Sequence, residues 1–533
     1  MSADAPVPAP APASRLQRLA RLLAQGDGAS SPRWVSPARA LLAVLAAALL
    51  FWTFSTSARV HPAEGPRGTA RPLGVVSPLL PADMRAQAAA ALERDAFRRE
   101  QRFLDAVEPG RLFAATRVEQ DDIEAGAWSP GDLYQIGGQL FDLVFTREVG
   151  YGARDLPPLA RFQTGRRGGP DATRCASCHR VGGPAGGGDG ADDAYLDGDG
   201  NTEASGLARN PIALPGEGLV EILAAEMSAD LAAARAALLR GAAASGKPAR
   251  GEIRAKGVSF GFLTATPGGS VDASELAGVD ADLRIKPFGW KGNVATIRDA
   301  VEDELLTHHG MESDHLVATA PRERIGPFGG DDPDGDGVRH EITEGQVTAL
   351  TLFVAMQETP QMVAPPDSNS ALLLADGRAR FDALGCAACH TPSLPLGSTR
   401  FVLASRGGGA PVSVDLAREG AEPRILPSAQ DGTYRVFLFS DLKRHDMGKA
   451  LAEPRPDRGV PGSVFLTRPL WGVGRSAPYL HDGRAVMFEQ AILAHGGEAQ
   501  AARDAYARLA DPERGSVRVF LASLTRAGRL VTQ

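Results

Sequence analysis

Apolar and polar positions along the chain give the first outline. Ala40 to Phe54 is a run of 15 residues without a charge, Thr53 being its polar member. Arg33 and Arg39 precede it, so the charge bias puts the N-terminus on the cytoplasmic side. A stable span takes about 20 apolar residues, so 15 suits an export signal as well as an anchor. Thr56-Ser57-Ala58 is a candidate cleavage site, and the uncleaved anchor is the reading favoured here. Upstream, Leu16, Leu19, Leu22 and Leu23 share a helical face beside Arg15, Arg18 and Arg21, as a helix on the inner membrane surface would. Residues 61–130 read as a linker plus a helix over Met84 to Val107, which has neither Gly nor Pro.

From Gly131 onward the pattern predicts one series of elements twice. In the first series an apolar helix around Gln139–Phe145 leads to Cys175-Ala-Ser-Cys178-His179. Then come Pro287-Phe-Gly-Trp290-Lys-Gly292-Asn293, an acidic helix near Thr296–Leu306 and a closing apolar helix over Gln346 to Met356. In the second, a helix over Ala371–Leu384 leads to Cys386-Ala-Ala-Cys389-His390. Pro478-Tyr-Leu-His481-Asp-Gly483-Arg484, a helix at Met487–His495 and a closing helix over Ser516 to Leu524 complete it. Trp290 matches His481, and Gly292 matches Gly483. The boundaries expected are a leader and signal or anchor over 1–60, a linker and helix over 61–130, and haem domains over 131–365 and 366–533. Gly182 to Gly200 and residues 241–280 read as surface insertions. Strand patterns are short and sparse, so the fold class expected is mainly α: two cytochrome c-like domains in tandem with loop insertions.

Composition changes the picture little. The 533 residues are 43% hydrophobic and 23% charged with a net charge of -7, a globular balance that argues against nucleic acid as a partner. Cysteine changes it more. All four cysteines lie in the two CxxCH pentapeptides, which leaves none for a disulfide. CxxCH is the attachment signature of haem c: two thiols on one side of a turn take the two vinyl groups, and the adjacent histidine lies under the iron. Such haems are assembled outside the cytoplasm, in accord with the apolar run. Two covalent haems on Cys175, Cys178 and His179 and on Cys386, Cys389 and His390 are therefore expected. For a sixth ligand the candidates are His445, Met447, His481 and His495, and spacing does not choose among them.

The chain resembles the bacterial di-haem cytochrome c peroxidase and MauG superfamily. Within it the similarity is greatest to the di-haem oxidoreductases described as peroxidases or thiol oxidoreductases. The residues that carry it are Ser440-Asp-Leu-Lys-Arg-His-Asp-Met-Gly448, Arg468-Pro-Leu-Trp-Gly-Val-Gly474, Pro478–Ala485, Ala491–Ala499, Phe288-Gly-Trp-Lys291 and Asp332-Pro-Asp-Gly-Asp-Gly337. The resemblance implies His495 as distal ligand of the C-terminal haem, with His481 beside the haem edge. It implies Trp290 between the haems and an acid–base group roughly twenty residues beyond it. There the sequence departs from the family, offering His308, His309 and Glu312, with Glu304 as an alternative. No cysteine remains for thiol relay chemistry.

The function that the resemblance implies is that of a periplasmic oxidoreductase, peroxidase-like, held at the inner membrane or released after cleavage. A cytochrome c or cupredoxin would donate electrons to the second haem, and hydrogen peroxide or another small oxidant would react at the first. MauG-like or oxygenase-type oxidation of another substrate, and plain electron transfer, are the rival readings. Asp332, Asp334 and Asp336 alternate as in the start of a calcium loop, although position twelve is Thr343 and Glu341 or Glu344 would have to substitute. The peroxidases carry calcium between their domains, so calcium is the further cofactor expected.

Overall fold

The computed structural model describes residues 109–154, 171–190, 194–196, 206–321, 330–363 and 367–526. The chain divides into units Met1–Leu92 and Glu93–Gln533, and all described residues lie in the second. The leader, the apolar run 40–54 and the Met84–Val107 helix fall outside the described residues. Among those described, no helix is long and apolar enough to cross a membrane.

Helices dominate. α1 spans Pro130–Asp142, α2 Glu217–Ser245, α3 Ile297–Glu304, α4 Glu344–Ala355, α5 Ser368–Ala383, α6 Phe488–Ala494, α7 Gln500–Ala507 and α8 Asp511–Ser523. Local chemistry starts several of them. Ser129, Thr296, Thr343 and Asp367 each accept a backbone N–H of the first turn, which satisfies a donor that the helix cannot.

Two helix crossings organise the fold. α1 packs on α4, and α5 packs on α8. Glycine permits each. A Cβ at Gly137 would sit 2.1 Å from the Ala349 carbonyl oxygen, and one at Gly377 would sit 1.9 Å from that of Ser516. Phenylalanines flank both crossings: Phe141 against Phe353 at 4.9 Å, and Phe381 against Phe520 at 5.2 Å between centroids.

Residues 241–280 differ from the expected surface insertion. They continue α2 and form a three-stranded antiparallel sheet of β1 (Ala249–Ala255), β2 (Val258–Ala265) and β3 (Val271–Asp272). Ile253 and Ala255 in β1 and Phe260, Leu263 and Ala265 in β2 are buried in the main core with Leu219, Leu223 and Met227 of α2. The strands are short and half-polar, so alternation over a few residues gave little signal. The Gly182–Gly200 stretch is ordered where described. Ala194–Leu196 pairs antiparallel with Leu207–Arg209, and the Tyr195 N–H donates to Asp171 Oδ2 at 3.1 Å.

Candidate haem sites

Both pentapeptides close as one 3₁₀ turn, Cys175–Ser177 and Cys386–Ala388, placed beside the first helix of its series. The next histidine is held the same way twice. His179 Nδ1 donates to Ile212 O at 2.9 Å, and His390 Nδ1 donates to Phe439 O at 3.1 Å. Phe141 lies 5.9 Å from the His179 ring, and Phe381 lies 6.3 Å from that of His390. A carbonyl on Nδ1 fixes the tautomer that leaves Nε2 as a lone-pair donor, the state a metal-bound imidazole needs. Burial lowers the pKa of both rings, that of His390 to about 4, so each is neutral.

Opposite His390 stands His495, the residue that ends α6. Its Nδ1 donates to Ala491 O at 2.8 Å, again leaving Nε2 free, and burial lowers its pKa. The two ring centroids are 6.4 Å apart. Two imidazoles on one metal at about 2 Å each place their ring centres about 6.3 Å apart, so the observed spacing fits an iron between them. A cavity of roughly 350 Å³ opens here, lined by Cys386, Cys389, His390, His495, Tyr479 and Leu521 among others. Thiols, free imidazole nitrogens and a mostly apolar wall are the donor set and surroundings that a haem needs.

The other axial candidates are placed differently. His445 Nδ1 faces Glu498 at 2.8 Å and its Nε2 faces Asp441 at 2.9 Å, so both nitrogens are engaged by carboxylates. Burial opposes its protonation, but Asp441 and its other hydrogen-bond partners win, and the pKa stands at about 11. Met447 lines the cavity. His481 stacks on Phe465 with centroids 4.6 Å apart and lies 3.9 Å from Glu453. It borders a buried polar network that no sequence motif announces. Arg209 pairs with Glu453 and with Asp457, and Lys291 sits 3.2 Å from Glu453 with its ammonium over the Phe465 ring.

Trp290 lines the same cavity and donates its indole N–H to Asn210 O at 2.7 Å. The Asn210 side chain donates in turn to Pro478 O at 2.7 Å, joining the Trp290 turn to the His481 turn. Trp471, buried against Gly216, lines the cavity too. Its motif carries part of the resemblance, yet the sequence alone assigns it no role.

In the first series, α3 runs into a π-helical turn, Leu305–His309. Each hydrogen-bonded ring there takes in one residue more than in an α-helix, and such bulges often mark functional positions. His308 is clasped between Asp171 at 2.8 Å on Nδ1 and Glu304 at 2.9 Å on Nε2. Burial opposes its charge, but the two carboxylates outweigh it and hold the pKa well above the histidine range. For Glu304 burial pushes upward, yet His308 prevails and lowers it to about 2. Glu304 is thus the anion of the pair, close enough to Cys175 and His179 to act on both electrostatically. Its side chain is 56% exposed, so the carboxylate faces open space. His309 instead donates Nδ1 to Ala172 O at 2.7 Å and has Nε2 3.6 Å from Cys175 Sγ. Burial lowers its pKa to about 4. Glu312 turns away from this group and lies buried with Asp334 and Glu341.

Glu304 is the functional candidate that family spacing obscured. It lies 14 residues beyond Trp290, as His495 lies beyond His481. Counting from the repeated turn finds it at once.

Residues 356–524 match the family described as "Di-haem oxidoreductase, putative peroxidase". That match places the chain among the di-haem oxidoreductases. The family implies haem cofactors, a di-haem redox role and oxidoreductase activity. No curated protein matches. Among solved structures, a hydrazine synthase of Kuenenia stuttgartiensis aligns at 14% identity over 87% of this chain and 99% of that one, with a TM-score of 0.33. A MauG-like protein associated with microbial copper homeostasis aligns at 16% identity over 50% of this chain and 77% of that one, with a TM-score of 0.25. Scores this low carry no argument.

Proposed function

We propose that this di-haem oxidoreductase is an extracytoplasmic, peroxidase-like enzyme with two covalently attached c-type haems. Cys175 and Cys178 would hold the first haem with His179 as its ligand. Cys386 and Cys389 would hold the second between His390 and His495. When bound, the haems supply two one-electron centres, matched to an oxidant that takes two electrons.

The chain's own residues divide the work. The neutral, carbonyl-bonded imidazoles of His390 and His495 make a closed pair, suited to receiving and passing electrons rather than to binding substrate. Trp290, fixed between the two turns, bridges the path between the sites. At the first site the carboxylate of Glu304 stands where His495 stands at the second. It accepts a proton from hydrogen peroxide and returns it to the leaving oxygen, while Asp171 and His308 hold and recharge it. Peroxide, two electrons and two protons give two waters. Electrons enter from a small cytochrome or cupredoxin. The segment 40–54 delivers the protein to the periplasm and anchors it there. Calcium belongs to this reading as a structural ion, outside the electron path.

One observation carries the reading: the two halves share their frame but set an imidazole at one distal position and a carboxylate at the other. The test is low-temperature EPR of the ferric, haem-loaded protein. One high-spin and one low-spin signal are expected, and His495→Ala should abolish the low-spin one. Two low-spin signals that persist after half-reduction would overturn the enzyme in favour of an electron carrier.

A further inference from the structure

On the far side of the histidine turn, the loop from Gly330 to Glu341 brings five carboxylates together. Glu312, Asp334 and Glu341, 3%, 2% and 2% exposed, have one oxygen each within 4.8 Å of the others. Asp332, Asp334 and Asp336 form a second such set, sharing Asp334. The loop's own bonds sort the oxygens. Asp334 Oδ1 accepts the Asp336 N–H at 3.1 Å, and Asp336 Oδ1 accepts that of Val338 at 2.7 Å. Glu341 Oε2 accepts the N–H of Glu312.

The oxygens left over are the informative ones. Glu341 Oε1, Asp332 Oδ1 and Asp336 Oδ2 are buried with no hydrogen-bond partner among the described residues. Buried carboxylate oxygens facing one another without a donor are costly, and a cation is the group that removes the cost. Arg147 acts on Asp336 from nearby, but its Nη1 donates to Ala153 O at 3.2 Å. Gly150 makes room for the arrangement: a Cβ there would lie 2.4 Å from the Glu341 carboxyl carbon. Thr343, at the twelfth position of the loop, is occupied otherwise, capping α4 and donating to Val118 O.

We propose that Glu312, Asp332, Asp334, Asp336 and Glu341 bind one calcium ion. An all-carboxylate set with several donors and no nitrogen or sulfur selects a large hard cation. Glu341 takes the place of the missing twelfth-position ligand, and Glu312 comes from outside the loop altogether. Because Glu312 lies three residues beyond His309, the ion fastens the loop to the turn that carries His308 and His309. This coupling to the first haem rests on the function proposed above, whereas ion binding does not.

The haem-loaded full-length protein, dialysed against a chelator, is titrated with calcium chloride by calorimetry and followed by thermal melting. One calcium per chain and a higher melting temperature are expected. Glu341→Gln should abolish uptake. Asp336→Asn, at the half-exposed edge of the site, should keep the fold and weaken binding by about tenfold or more through loss of a charged ligand. No uptake by the wild-type protein, or equal uptake by both variants, overturns the site. Calcium removal should also shift the high-spin signal of the first haem and spare the low-spin signal of the second. An unmoved first signal overturns the coupling. Calcium uptake by a chain lacking the two expected haem signals would sink the proposed function and leave the ion site standing.

Discussion

The two halves repeat one frame closely enough that their differences can be read residue by residue. Each has a helix crossing opened by a glycine and a CxxCH turn whose histidine donates to a carbonyl. Each has a six-residue turn closed by a bridge: Phe288 to Val294 in one, Tyr479 to Ala485 in the other. Gly292 and Gly483 take positive φ at the same place in those turns, +60° and +69°. The divergence begins 14 residues past the turn's third position. There the second half ends its helix on His495, whose ring faces His390. The first half ends α3 on Glu304, ion-paired to His308. One frame thus closes a metal site with a second imidazole and opens the other with an acid. Function differs because a ligand position was reassigned, while the scaffold that presents it was kept.

The strongest way to break this comparison is to exchange the two residues. Glu304→His should place an imidazole at the first distal position, replacing the high-spin EPR signal with a second low-spin one and abolishing peroxide turnover. His495→Glu should remove the original low-spin signal. If Glu304→His leaves the high-spin signal intact, the two positions are not equivalent. A milder change is Glu304→Gln, which keeps shape and removes the base. Peroxide turnover should fall by about 10²-fold or more, the usual share of a positioned acid–base group, with haem content unchanged. His309→Gln should cost far less, since that ring is tied to Ala172. Steady-state kinetics on the two variants decides which residue handles the proton.

The frame itself can be tested with Gly137→Ala and Gly377→Ala. A methyl group has no space at either crossing, so each should cost about 1–3 kcal/mol by overpacking. Denaturant unfolding reads the cost. Similar losses would support equivalent crossings, and a loss confined to Gly377 would say that the first half tolerates a looser frame.

Much of this was legible from residues that carry chemistry in fixed spacing. The CxxCH pairs, the Trp290 and His481 turns and the helices after them all announce themselves locally. α3, α4, α5, α6 and α8 lie within a few residues of where apolar periodicity predicts them. The sheet of β1, β2 and β3 did not show, because its burial depends on packing against α2, a long-range fact. Nor did the Arg209, Lys291, Glu453 and Asp457 network, whose members lie up to 248 residues apart in sequence. Glu312 was misplaced for a related reason. Its distance from Trp290 suggested proton chemistry, but the π-helical turn carries it round to Asp334 and Glu341. Distal groups at the first haem were readable only through the second half, by counting from the shared turn.

The smallest effect sharpens the comparison at the helix starts. α3 begins at Thr296, whose hydroxyl accepts the Asp299 N–H at 3.1 Å. α6 begins at Met487, which has no capping oxygen; Gln490 reaches back instead to the N–H groups of Val486 and Met487 at 2.8 and 3.1 Å. One reciprocal bond of the capping pair is therefore present in α6 and the other is absent. Met487 is 57% exposed, so replacing it sacrifices little burial. Met487→Thr should complete the cap and stabilise the second half by about 0.5–1 kcal/mol, while Thr296→Ala should cost about 1 kcal/mol in the first. Because α6 ends on His495, a firmer start should also steady the ring at its other end. Chemical denaturation of the two variants measures the energies, and the linewidth of the low-spin signal reads the ring. A stability gain with an unchanged linewidth would mean that His495 is already held by its carbonyl partner, Ala491, whatever happens seven residues earlier.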